Sequence, residues 1–170
     1  MENQNKVRAD LRQLKPFFIV AFVGIIYHLR IRPMAGDDVF FSQATSELGL
    51  WNYLIQRYET WTSRFVIEFL LVWIIKYPIL WRLIDLALFI SFPVLISKIF
   101  DGGKLLDWCA AAAVLLYPFH DMGTAGWITT TVNYFWPVWG MFFVGFLLKK
   151  MLVHKKINSV EGIARVLVCV

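Results

Sequence analysis

The chain has 170 residues, of which 59% are hydrophobic and 17% aromatic, and its mean hydropathy is +0.60. Soluble domains are only about half apolar, so this composition excludes an ordinary soluble enzyme and predicts an integral, all-α polytopic membrane protein. The net charge of +5 arises beside apolar segments, where positive side chains set membrane orientation. We therefore expect no nucleic-acid partner.

Residues 1–15 carry four basic side chains and apolar residues at helical spacing, a pattern typical of a basic amphipathic helix on the cytoplasmic surface. The apolar segment 16–34 follows. It continues into a basic stretch that lacks the small residues of a signal-peptide cleavage site, so we interpret it as an uncleaved first span. These features predict a multi-pass plasma-membrane protein with a cytoplasmic amino terminus.

Residues 35–78 are predicted to be an outer loop, and its part from Asp37 to Arg64 is the longest polar stretch in the first half of the chain. It opens with the adjacent carboxylates Asp37 and Asp38, and Asp38 is placed to cap the following helix. Apolar residues from 41 to 58 alternate at spacings of three and four, which predicts a helix in the membrane interface, with a break at Gly49.

Two apolar segments, 65–77 and 79–97, are separated by Pro78. Counting both as spans would place the later lysine cluster outside, so we interpret 65–77 as a re-entrant or embedded outer helix and 79–97 as the second span. Arg64 with Glu68, and Arg82 with Asp85, have the spacing of ion pairs within one helix.

The third span is predicted at 105–118, a second outer loop at 119–133, and the fourth span at 134–148. A basic cytoplasmic segment occupies 149–156, and the tail to residue 170 begins another apolar stretch. A span that stops after a few residues leaves backbone groups unsatisfied in lipid, so we expect the chain to be truncated. Cys109 and Cys169 have no paired or metal-type spacing and are expected to be buried.

The two outer loops face the same compartment in this topology, so their polar groups could meet. The Asp37–Asp38 pair could bind a divalent cation, act as a general base, or cap a helix. Residue types alone do not decide among these three roles.

Three features follow one another along the chain: an apolar first span, the Asp37–Asp38 pair, and an arginine in the context Trp61 to Phe65. This order resembles the opening of the GT-C class of polytopic glycosyltransferases. The later pattern from Trp127 to Pro137 is similar to that of an uncharacterised family of bacterial multi-span membrane proteins. The resemblance implies transfer of a sugar from a polyprenyl-phosphate donor to a cell-envelope acceptor on the outer face.

The same resemblance implies roles for individual residues. Asp37 or Asp38 would be the base or a ligand of a divalent cation. Arg57 and Arg64 would contact the lipid phosphate, although interfacial anchoring explains them equally simply. The remaining candidates would orient a hydroxyl or contact a sugar ring, where helix capping and an aromatic membrane belt are the alternatives; they are His120, Asp121, Trp127, Asn133 and Tyr134.

A second class of function also fits the sequence. The chain could be a non-catalytic transporter, channel or accessory subunit whose outer loops line a pathway. Transporters commonly contain paired, interrupted spans in repeated halves, and no internal repeat is visible here.

Overall fold

The computed structural model describes residues 2–32, 34–46, 48–101, 103–117 and 125–155, with side chains described between residues 14 and 153. Every regular element within these ranges is helical, which confirms the predicted all-α class. The α-helices are α1 (Glu2–Arg30), α2 (Asp37–Gln43), α3 (Gly49–Thr60), α4 (Phe65–Ile74), α5 (Pro78–Ile99), α6 (Lys104–Leu115), α7 (Ile128–Thr130) and α8 (Trp136–Lys155). A π-helical turn, Thr131–Phe135, joins α7 to α8.

Two helices in the described part of the chain are long and apolar enough to cross a membrane. They are Pro78–Ile99, of 22 residues, and the continuous helix Ile128–Val153, of 26 residues. Only 28% of the apolar window of the first is buried inside the protein, and none of that of the second. Core helices of soluble proteins bury their apolar faces, so these exposed surfaces favour lipid as their surroundings.

The predicted segments at 79–97 and 134–148 lie inside these two helices. The second helix starts earlier than predicted, because residues 128–133, assigned from sequence to an outer loop, are already helical. At the amino terminus the two predicted segments, 1–15 and 16–34, form one continuous helix that includes Pro16 and ends at Arg30. Helix α6 has 12 residues, about 18 Å at 1.5 Å per residue, which is shorter than roughly 30 Å of hydrocarbon.

Helix α5 lies at the centre of the bundle and packs against α1, α6 and α8. A buried polar network crosses three of these helices. The Asp85 carboxylate on α5 lies 2.9 Å from His28 Nε2 on α1 and accepts a hydrogen bond of 2.6 Å from Trp136 Nε1 on α8. His28 Nδ1 lies 2.7 Å from the carbonyl oxygen of Gly24, which can only accept, so Nδ1 carries a proton. The contact between Nε2 and Asp85 then requires a second proton, held by one partner or the other.

The predicted pair of Arg82 with Asp85 is therefore wrong. Arg82 donates instead to the backbone carbonyl of Ile31 at 2.9 Å. Asp85 bonds to partners on other helices and not to the arginine three positions before it in sequence. It lies on the interior face of α5, which faces α1 and α8. Cys109, expected to be buried, is exposed on α6.

Three short helices form the segment between α1 and α5. Two helices, α2 and α3, are present where the sequence predicted one helix with a break at Gly49; α2 ends at Gln43 and α3 begins at Gly49. Gly49 has a φ of +73°, a conformation that suits glycine. Helix α4 contains 10 residues, too few to cross a bilayer. Pro78 then begins α5, at the first turn of a helix, where the missing N–H costs nothing.

Candidate functional site

Asp38 joins the two segments that were predicted to be outer loops. Its side chain is fully buried, and Oδ1 accepts hydrogen bonds of 2.8 Å from both the backbone N–H and the hydroxyl of Thr129. Oδ2 accepts bonds of 3.1 Å from the backbone N–H groups of Ile128 and Met34. Ile128 and Thr129 are the first residues of α7, where N–H groups lack partners within the helix. Asp38 thus caps a helix that begins 90 residues later.

Asp38 caps a helix, as predicted, but that helix is α7 and not the helix that follows Asp38 in sequence. Asp38 is the second residue of α2, and the residue before that helix, Gly36, makes no side-chain cap. A carboxylate that holds four hydrogen bonds has no free acceptor directed towards a substrate or a metal. Of the two aspartates, Asp37 is therefore the one left for chemistry.

Gly36 and Trp127 form a second contact between these segments. Gly36 has a φ of +53°, and a Cβ atom added there would lie 2.0 Å from the Trp127 ring. Only glycine fits this position, both for its backbone conformation and for the close approach of the indole. Trp127 therefore packs against Gly36. It was expected to contact a sugar, but it is not among the described residues that line the neighbouring cleft.

Beside this junction lies a cleft of about 370 Å³. It is bounded by α2, the end of α3, the start of α4, and the α7–π-turn segment. Five of the residues predicted to form a functional site line it, although they are spread over almost 100 positions of the chain: Asp37, Arg57, Arg64, Asn133 and Tyr134. The other lining residues are Phe40, Phe41, Trp61, Glu68, Thr129 and Thr130.

Arg57 is held in place on three sides. Its Nη2 donates to Glu68 Oε1 at 3.0 Å, and its guanidinium lies 5.7 Å from the ring centroid of Phe41 and 5.6 Å from that of Trp61. Cation–π contacts of this length fix a planar guanidinium without neutralising it. The Arg57 side chain is 19% exposed, so part of this orientated cation faces the cleft.

Arg64 is exposed, and its Nε donates to Thr62 Oγ1 at 3.1 Å. The predicted ion pair between Arg64 and Glu68 is wrong, because Glu68 pairs with Arg57 from α3 instead. Helix α3 ends at Thr60, so Arg57 and Arg64 do not share one helical face. They reach the same cleft through the turn at residues 61–64.

The charges of the cleft balance. Asp37 and Glu68 contribute two negative charges, and Arg57 and Arg64 two positive ones. Since Arg57 and Glu68 pair with each other, Asp37 and Arg64 are the charged side chains among the described lining residues that lack an ion pair. The cleft thus presents one unpaired carboxylate and one unpaired guanidinium to a ligand.

Tyr53 lies one helical turn before Arg57 and senses these charges. Burial raises the pKa of its phenol to about 12, the Glu68 carboxylate adds to the increase, and Arg57 opposes it. The phenol therefore stays protonated at physiological pH.

The π-helical turn presents the last two cleft residues. Asn133 donates from Nδ2 to the Thr129 carbonyl at 2.8 Å, and Tyr134 is 62% exposed. Two tryptophans hold the turn at its ends. Trp81 on α5 donates to Thr131 Oγ1 at 2.8 Å, and Trp136 donates to Asp85. Trp136 is thus part of the buried network on α5.

His120 and Asp121 lie outside the described residues. Glu68 is the main residue of the cleft that sequence reasoning assigned elsewhere, since its spacing from Arg64 suggested a local ion pair. Its position on an otherwise apolar helix, FVIEFLLVWI, is a signal that could have found it, because a carboxylate inside an apolar segment marks a functional position more often than a surface one.

A divalent cation would have limited protein ligands here. No group of three or more His, Cys, Asp or Glu side chains suited to hold a metal occurs within the described residues. Mg²⁺ often uses one or two carboxylates together with substrate phosphates, and Asp37 fits that arrangement.

Comparison with protein-family models, curated proteins and solved structures finds no match for this chain.

Proposed function

We propose that this chain is the amino-terminal part of a GT-C-like membrane glycosyltransferase, which moves a sugar from a polyprenyl-phosphate donor to a cell-envelope acceptor on the outer face. One observation carries the proposal: a single cleft contains Asp37, Arg57, Arg64, Asn133 and Tyr134. In the proposed topology the chain has four spans and a cytoplasmic amino terminus, and the cleft lies at the outer membrane surface.

An apolar groove beside the cleft supports a lipid-linked donor. The groove measures about 470 Å³ and lies between α5, α6 and α8, with Phe89, Phe92, Val114 and Val138 among its lining residues. Tyr134 lines both the groove and the cleft. A molecule with a charged head and an apolar tail could therefore place its head beside the arginines and its tail in the groove.

The proposed reaction uses the two free charges of the cleft. Arg64, assisted by the fixed guanidinium of Arg57, binds the donor phosphate through charge-assisted hydrogen bonds. Asp37 accepts the proton of the acceptor hydroxyl as its oxygen attacks the anomeric carbon. The bond between that carbon and the phosphate oxygen breaks, and polyprenyl phosphate leaves with the electron pair. Asp37 is also the residue that would hold a divalent cation; the cation would supply neutralisation of the charge that develops on the phosphate, and Asp37 would then be its ligand and not the base.

The test is Asp37→Asn in the native gene context, assayed for transfer from polyprenyl-phosphate sugars in membrane vesicles. Loss of a general base lowers rates by about 10² to 10⁴, so we expect transfer to fall by that factor while the protein accumulates normally. The matched control is Asp101→Asn, an exposed aspartate outside the cleft with φ of +49°, a conformation that asparagine tolerates. Unchanged transfer in Asp37→Asn would favour the non-catalytic alternative.

A further inference from the structure

Buried polar atoms without hydrogen-bond partners are concentrated around the cleft. Among the described residues five such side-chain atoms occur: Tyr53 Oη, Arg57 Nε, Glu68 Oε2, Trp127 Nε1 and Asn133 Oδ1. Three belong to residues that line the cleft. Tyr53 is one turn before Arg57, and Trp127 packs against Gly36 beside Asp37. Each buried group of this kind costs about 1–3 kcal/mol, and native proteins leave few of them.

Glu68 has the strongest requirement in this set. Its side chain is 2% exposed, and only Oε1 is satisfied, by Arg57. The buried carboxylates of Asp38 and Asp85 each have both oxygens hydrogen bonded. Glu68 differs from them because it lines a cleft. The Tyr53 phenol, which interacts with Glu68, is a donor from the protein, and a ligand in the cleft can supply a second donor to this carboxylate.

The three atoms that belong to cleft-lining residues restrict the ligand. Glu68 Oε2 and Asn133 Oδ1 need hydrogen-bond donors, whereas Arg57 Nε needs an acceptor. A phosphate group offers acceptors alone, and an ammonium group offers donors alone. A hydroxyl group offers both, and several hydroxyl groups on one ring are the defining feature of a carbohydrate.

We propose that Glu68, Asn133 and Arg57 form a sugar-binding subsite, in which Glu68 Oε2 accepts a hydrogen bond from a hydroxyl of the transferred sugar. This inference rests on the proposed function, since it assigns the sugar of the lipid-phosphate donor to this part of the cleft. Arg64 then holds the phosphate, and Glu68 distinguishes a loaded donor from the bare lipid phosphate that leaves after transfer.

The experiment measures equilibrium binding of farnesyl phosphate and of its glucose, mannose and galactose esters to the chain in lipid nanodiscs. In the unaltered protein we expect at least one ester to bind more tightly than farnesyl phosphate. Glu68→Gln should remove that preference, a loss of roughly tenfold to a hundredfold for one hydrogen bond to a charged group. Farnesyl phosphate itself should bind to Glu68→Gln no more weakly than before, because Arg57 keeps its charge and loses its carboxylate partner.

Two further variants make the result specific. Arg64→Gln should weaken the binding of farnesyl phosphate and of the preferred ester by the same factor, because both ligands carry the phosphate. Glu59→Gln, on the exposed surface of α3, should change neither. Should Glu68→Gln fail to fold, Asn133→Leu is the second variant. Leucine is similar in size to asparagine but has no polar side-chain atom, so this change removes another hydrogen-bond partner of the sugar and should reduce the same preference.

The outcomes separate the two proposals. Failure of farnesyl phosphate and all three esters to bind the unaltered protein would overturn the proposed function. Binding of farnesyl phosphate without any sugar preference, or a sugar preference that survives in folded Glu68→Gln and Asn133→Leu, would overturn the subsite alone.

Discussion

Asp38 Oδ1 lies 2.8 Å from both the backbone nitrogen and the hydroxyl oxygen of Thr129. These two contacts and a third from Ile128 join residues that are 90 or 91 positions apart, and Met34 adds a local contact. Without them the backbone N–H groups of Ile128 and Thr129 would lose their acceptors in a buried environment, and that of Met34 would lose its acceptor in a partly buried one. The position of the cleft therefore depends on Asp38 even though Asp38 does not line it.

The first prediction compares the two aspartates. Asp38→Ala should lower the free energy of unfolding by roughly 3–5 kcal/mol, since it strands buried donors. Asp38→Asn should cost about 1–3 kcal/mol, because its amide nitrogen must face an N–H donor. Asp37→Asn, on an exposed residue, should stay within about 0.5 kcal/mol. Unfolding by SDS in mixed micelles measures all three, and equal stability of Asp38→Asn and Asp37→Asn would contradict the capping role.

The second prediction concerns the buried network on α5. A double-mutant cycle with His28→Ala and Asp85→Ala should give a coupling energy of about 1–3 kcal/mol, as expected for partners within one network. The cycle with Arg82→Ala and Asp85→Ala should give less than about 0.5 kcal/mol, because Arg82 bonds to the Ile31 carbonyl instead. A larger coupling energy for Arg82 with Asp85 than for His28 with Asp85 would contradict the network and support the ion pair that helical spacing suggests.

The third prediction concerns Tyr53, whose pKa is raised to about 12. An unfolded tyrosine has a pKa near 10, so above that pH the unfolded chain loses its proton while the folded chain keeps it. The contribution of Tyr53 to stability is therefore complete below about pH 10 and declines between about pH 10 and 12. The absorbance of tyrosinate, compared between the unaltered chain and Tyr53→Phe, isolates this titration.

Glu68→Gln provides a control for the cause of that shift. Removal of the carboxylate should lower the pKa of Tyr53, while burial, the larger cause, keeps it above the ordinary value. A Tyr53 titration that is unaffected by Glu68→Gln would mean that the two side chains do not interact.

The fourth prediction tests the orientation of the chain. Cysteine at Gln43 should react with a membrane-impermeant thiol reagent added to intact cells, and cysteine at Gly103 should react only after permeabilisation. Cys109 is exposed, so it and Cys169 must first be replaced by alanine. Labelling at Gly103 in intact cells would exclude the four-span topology.

The positions of α5 and α8 were predictable, because an apolar run indicates its surroundings without reference to any partner, whereas the helical residues 128–133 before α8 were assigned to a loop. The tertiary pairs were not predictable in the same way. Glu68 had a plausible partner four residues away, yet it pairs with Arg57, which approaches from another helix. The capping of α7 by Asp38 left no local signal, since the acceptor and the donors belong to separate segments. Five of the predicted site residues line one cleft, and only packing shows that they meet.

The π-helical turn between Thr131 and Phe135 has a consequence for insertions and deletions. Such turns add one residue to an α-helix while the flanking turns keep their own contacts. Here the flanking contacts are those of Thr131 with Trp81 and of Trp136 with Asp85, and the extra length between them carries Asn133 and Tyr134. These two cleft-lining residues thus occupy a stretch whose length can change by one residue while the helix beyond it continues. Removing a single residue from this turn is the smallest change that would restore an unbroken α-helix and withdraw both side chains from the cleft.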